Sequence, residues 1–224
     1  MATASPDRLP AQLPGRIPLF PLAGALLLPR AHLPLHIFEP RYLAMFEEAL
    51  MTESRLIGMV QPLHAHDGAR LHRIGCAGRI VGFGERPDGR LDVTLAGISR
   101  FRLLSEPLTA TPWRQGEVGW DDFATDRNRA PETDPHLDRA ALFALLARFS
   151  QARGQQHDWQ SLRPLPDEAL INMLSIVAPL SPADRQALLE APDLSLRRET
   201  LCALLEFALQ RPADGDPDDS EVMQ

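Results

Sequence analysis

The residues best suited to chemistry are His64, His66, His72 and Cys76, in the run HAHDGARLHRIGC. Imidazole and thiolate are preferred zinc donors, so two or more of them converging would hold the ion. Their spacing matches neither CxxC nor HExxH, and His64 and His66 share a loop with Asp67-Gly68. Ordinary loop histidines are the expectation, and no metal is assigned. Asp214, Asp216 and Asp218 imitate a calcium loop, but Asp219 holds the sixth position, where glycine must make the turn. Gly82-Phe83-Gly84 begins as a dinucleotide loop does, yet Pro87 replaces the third glycine and the run leads into a hairpin. Gly97-Ile98-Ser99-Arg100-Phe101 is half a nucleophile elbow without its closing glycine. All 23 basic residues are arginine. Without lysine there is no P-loop lysine, no Schiff base, no Ser–Lys dyad and no covalently held pyridoxal phosphate. No catalytic residue and no cofactor are expected.

The elements that would position these residues change character along the chain. Residues 1–16 read as a loose arm rich in proline. From 17 to 122 the pattern is short strands bounded by Gly and Pro: Ile17–Leu19, Ala25–Leu28, Leu33–Ile37, Leu56–Gln61, Cys76–Gly84, Leu91–Ser99, Phe101–Glu106 and Glu117–Trp120. Pro87-Asp88-Gly89 should turn one hairpin, since proline presets φ and glycine accepts a positive one. One helix interrupts the strands from Pro40 to about Met51, with Tyr42, Met45, Phe46, Ala49 and Leu50 on a single stripe. Residues 123–134 are polar and proline-flanked and read as a linker. Residues 135–211 turn to helical periodicity, with Ser181-Pro182 and Ser195 as helix starts, and predict a small bundle. The tail 212–224 is acidic and predicted to be disordered.

The 224 residues carry a net charge of −7, and five acids in the last eleven positions account for most of it. The remainder, at −2, offers no broad basic footprint for a phosphate backbone, so nucleic acid is not an expected partner. Two cysteines 126 positions apart suit a reducing compartment better than a disulfide framework. Ile17 to Leu28 is apolar but broken by Pro18, Pro21 and Gly24, and is too short to span a bilayer. A cytoplasmic protein with no membrane association is expected.

The run Pro18-Leu19-Phe20-Pro21, then Pro29, Pro34-Leu35 and Ile37-Phe38-Glu39-Pro40-Arg41-Tyr42, resembles the opening of the LON substrate-binding domain. That is the N-terminal domain of ATP-dependent Lon proteases, found also in cereblon and in stand-alone bacterial proteins. Gly58, Gly75, Gly78-Arg79-Ile80, Gly97 with Arg100-Phe101, and Asp184 to Glu190 follow in the same order. The resemblance implies an α+β fold: a PUA-like twisted β pseudo-barrel with one inserted helix, followed by a small helical bundle. It also implies a non-catalytic module or adaptor that binds unfolded or apolar polypeptide segments, with weak self-association allowed. A chain without lysine carries neither the Walker lysine nor the Ser–Lys dyad of the full proteases. The alternative is RNA binding, as PUA-like barrels do elsewhere, for which Arg73, Arg79, Arg100 and Arg102 would have to cluster. The expected peptide site is an apolar cleft where barrel meets bundle, with Met45, Phe46, Met59, Trp113 and Met173 as contacts.

Overall fold

A computed structural model describes residues 13–64, 70–128, 130–154 and 158–210. Alternating patterns become strands β1 (Arg16–Pro21), β2 (His32–Ile37), β3 (Leu56–Val60), β4 (Ile74–Glu85), β5 (Leu91–Ser105) and β6 (Gln115–Gly119). They form one sheet in the order β2-β5-β4-β3-β1-β6, and a further pairing of β6 with β5 closes a ring of five strands. Only β1 and β3 run parallel, so their connection must cross over; it does so through β2 and helix α1 (Pro40–Met51). Strand β5 is long enough to do two jobs. Its first half pairs with β2 and its last residues with β6, where a register shift near Leu103–Ser105 bends it shut. The two strands expected at Leu91–Ser99 and Phe101–Glu106 are therefore one. The hairpin forms as expected, with Gly89 at φ 79°.

Ala25–Leu28, expected as a strand, is instead an apolar loop, and the reason is tertiary. Its leucines 26, 27 and 28 are all buried. Its backbone meets β5 at Gly97, where the Gly97 N–H donates to Ala31 O and the Arg30 N–H to Gly97 O, both at 2.8 Å. A Cβ on Gly97 would collide with the Leu28 carbonyl. Glycine is needed there for close approach.

After the barrel come α2 (Arg139–Ala152), α3 (Asp167–Val177), α4 (Pro182–Glu190) and α5 (Leu194–Gln210). Helix α4 starts with a capping box, the Ser181 hydroxyl accepting from the Asp184 N–H and the Asp184 carboxylate accepting from the Ser181 N–H. The apolar residues sort into two clusters. A small one fills the ring, with Ile17, Leu19, Leu56, Val60, Phe101 and Leu103 among its members. The larger one runs without a break from the outer face of the sheet into the bundle, joining Phe46, Leu27 and Leu95 to Leu146, Leu174 and Leu201. Barrel and bundle share a core, so neither buries its apolar face alone.

The stretch 123–134 does connect the halves, but not as a solvated tether. Asp121–Arg127 is a 3-10 segment lying on β5 with Phe123 and Asp126 buried. Further on, Glu132 accepts from the Leu194 N–H at 3.0 Å and Asp134 from the Ser195 hydroxyl at 2.8 Å, so both acids hold the N-terminus of α5. No helix among the described residues is long and apolar enough to cross a membrane. The arm 1–12 and the tail, with its acidic run, lie outside the described residues, as does His66.

Candidate functional site

The junction of barrel and bundle, where the apolar cleft was expected, is packed by the shared apolar core and, beside it, by a buried network of charged side chains. Arg100 on β5 is 0% exposed. Its guanidinium donates to both carboxylate oxygens of Asp126, at 2.9 and 2.8 Å, and to the Leu189 and Ala191 carbonyls at the end of α4. Its face lies on Phe123, 4.3 Å from the ring centre. A second buried arginine, Arg197 on α5, donates to Leu188 O and to the Asn172 side chain. Burial, with Arg100 nearby, pulls the Arg197 pKa down to about 10. Arg30, in a left-handed turn at φ 63°, clamps Glu168 of α3 through Nε and Nη2, and Asn172 Nδ2 donates to Pro29 O. Every one of these groups has a partner, which is what burial of charge requires. The network is a strut.

The five residues expected to touch peptide are accordingly scattered. Met45 and Phe46 line the buried face of α1, Met59 sits in β3, and Trp113 is buried before β6. All four belong to the core shared with the bundle, because large flexible side chains on an inward stripe are what a core needs. Only Met173, 41% exposed on α3, is open to a partner without the fold moving.

The four arginines that RNA binding would need differ in their surroundings, with Arg79 half-buried on β4. Arg100 is the strut, Arg102 is paired with Asp122, and Arg73 is exposed. Of the metal candidates, Cys76 is fully buried, which pushes its thiol pKa far up, while His64 is exposed. Among the described residues no three His, Cys, Asp or Glu side chains group to hold an ion.

A different place has the geometry of a binding surface. Strand β4 has 12 residues and β3 has five, and their pairing ends at Arg79 with one more bond from the Ile80 N–H to Arg55 O. Beyond it, Val81–Glu85 is held by β5 on one side only. Among the described residues no strand covers the other edge. About five residues of backbone, roughly 17 Å, thus present unpaired amides and carbonyls. Beside this edge lies a groove of about 420 Å³ lined by Glu47, Leu50, Met51, Arg55 and Phe83. Met51 is 88% and Phe83 63% exposed, and Val81 is also open. Sequence patterning missed this surface, although Val81 and Phe83 near a turn were in view. What leaves them open is that β3 starts too late to cover them.

The ATP-dependent protease La (LON) substrate-binding domain family matches residues 16–206. A Lon protease of Desulfosudis oleivorans is 22% identical over 219 residues, covering 95% of this chain and 26% of that protein. One from Roseiflexus castenholzii is 25% identical over 221 residues, covering 92% of this chain and again 26% of its own length. This chain therefore spans about a quarter of the proteases that it matches. Among solved structures, a Lon N-terminal domain protein from Xanthomonas campestris superposes with a TM-score of 0.59 at 27% identity, covering 84% of this chain and 97% of that one. The N-terminal domain of a Mycobacterium avium complex Lon protease has the same fold at 19% identity, with a TM-score of 0.61 over 85% of this chain and 98% of its own.

Proposed function

The chain belongs to the LON substrate-binding domain family, and on that premise we propose that it is a non-catalytic module that binds extended apolar polypeptide segments. The observation that carries this reading is the β4 edge at Val81–Glu85 lying beside the groove of Leu50, Met51 and Phe83. An extended segment pairs its backbone with that edge as an added strand. Successive side chains of such a strand point to opposite faces, so every second one is able to enter the groove. Backbone pairing is indifferent to sequence, and an apolar groove of this kind selects only for greasy side chains. That combination suits a module that takes unfolded clients of many sequences. Glu47 and Arg55 at the margin place one charge of each sign there, which leaves the groove near neutral.

The test is calorimetric titration of a tryptophan-free denatured polypeptide into the protein at 0.1 and 0.5 M salt. Binding should saturate, should change little with salt, and should weaken at least tenfold in Phe83→Asp. Equal binding by wild type and Phe83→Asp, or loss of binding on raising the salt, rejects this site.

A further inference from the structure

The helical bundle holds a cavity of about 140 Å³ that is lined by bundle residues alone. Its floor is Leu146 and Phe149 of α2, Leu174 of α3 and Leu205 of α5, all buried. Its mouth is formed by Trp159, Val177 and Pro179, of which Val177 is 57% exposed. Three polar groups at the margin are already engaged. Trp159 Nε1 donates to Ser150 Oγ at 2.8 Å, and the Ile176 and Ala178 carbonyls at the end of α3 accept from Arg185 at 2.8 and 2.9 Å. A bound water needs two to four polar partners, and the lining side chains supply none beyond the engaged Trp159 N–H. Apolar voids of roughly 150 Å³ stay dry and admit a molecule the size of benzene.

We propose that this cavity is a binding site for a single small, uncharged aromatic molecule of about seven non-hydrogen atoms. The volume sets the size, the side chains set the polarity, and the opening at Val177 and Trp159 gives a way in. A cationic ring is rejected because its ammonium would lose water at the mouth and meet the Arg185 guanidinium instead of a partner. The site shares no element with the β4 edge, so it stands whether or not polypeptide binds there.

Fluorobenzene titrated into the full chain and followed by ¹⁹F NMR tests the proposal. Saturable binding is expected, with Kd on the order of 10⁻⁴–10⁻³ M for a ligand this small. Val177→Arg should weaken it at least tenfold, while Ala169→Arg, exposed on the same helix and away from the cavity, should leave it unchanged. 4-Fluorobenzylammonium should bind at least tenfold more weakly than fluorobenzene. If Val177→Arg does not fold, Val177→Trp closes the mouth without adding charge and should have the same effect. Failure to saturate up to the solubility limit, equal affinity in the two arginine variants, or equal binding of the benzylammonium overturns the proposal.

Discussion

The strut around Arg100 and the surface around Phe83 invert the usual arrangement of a globular protein. One places arginines and carboxylates in the interior with every hydrogen bond made, and the other leaves a phenylalanine, a methionine and open strand edge in solvent. Buried charge is tolerable only when its partners are fixed, so Arg100 ties β5, the segment 121–127 and the end of α4 into one relation. Exposed apolar surface is a liability unless something covers it part of the time. The first region has the chemistry of a site and serves the fold. The second has the composition of a core and is left open to a partner.

That contrast is sharpest under substitution. The largest expected effect is Arg100→Ala, which strands the Asp126 carboxylate inside the protein. Losing one member of a buried pair costs roughly 3–5 kcal/mol, a fall in Tm of about 6–20 °C at this size. Thermal unfolding checks it, and a drop under 3 °C would show that the strut is not what joins the halves. The double change Arg100→Met with Asp126→Leu removes both charges and should recover part of the loss.

Gly97→Ala comes next. Its methyl meets the Leu28 carbonyl, and relief requires the 25–31 loop to move off β5. Overpacking of this kind costs about 1–3 kcal/mol, readable as a lower urea midpoint with the slope unchanged. A neutral result would mean that the loop yields freely.

Acid should act through Asp134. Burial works to raise its pKa, but hydrogen bonds from Arg198, the His136 N–H and Ser195 outweigh it and hold the carboxyl below its ordinary range. A depressed folded value means that Asp134 stabilises the fold above the unfolded pKa, about 4. This contribution fades as pH falls further through the folded value. Asp134→Asn should therefore lower stability by about 1–3 kcal/mol at pH 7, and the gap to wild type should narrow below pH 4. Urea midpoints at pH 7 and pH 3 measure it, and a gap independent of pH would contradict the ion pair.

The smallest effect on the fold belongs to the open surface. Phe83→Ser should change stability by no more than about 0.5 kcal/mol while weakening polypeptide binding several-fold by calorimetry. A large loss of stability instead would make Phe83 part of the core and dissolve the contrast.

Much of this was legible locally. Period-2 and helical periodicity placed the strand-rich half, α1 and the bundle helices, and Ser181-Pro182 and Pro87-Asp88-Gly89 marked a cap and a turn by residue type alone. The total absence of lysine removed several chemistries before any coordinate was known. These readings succeed because helix, turn and pleat are set by residues within a few positions of one another.

What the sequence could not show depends on distant partners. Asp126 and Asp134 read as linker acids because the arginines that bury them lie 26 and 64 positions away. Arg100 stood only among four arginines that RNA binding would need, for the same reason, and Met45, Phe46 and Met59 among the expected peptide contacts, whereas all four are buried. The open edge of β4 exists only because β3 is shorter, and the bundle cavity only because four separate segments fail to meet at its centre. Composition and period fixed which residues prefer water. Which of them must give up that preference was decided by packing, since the energy of a buried charge or an exposed ring depends on its neighbours in space and not along the chain.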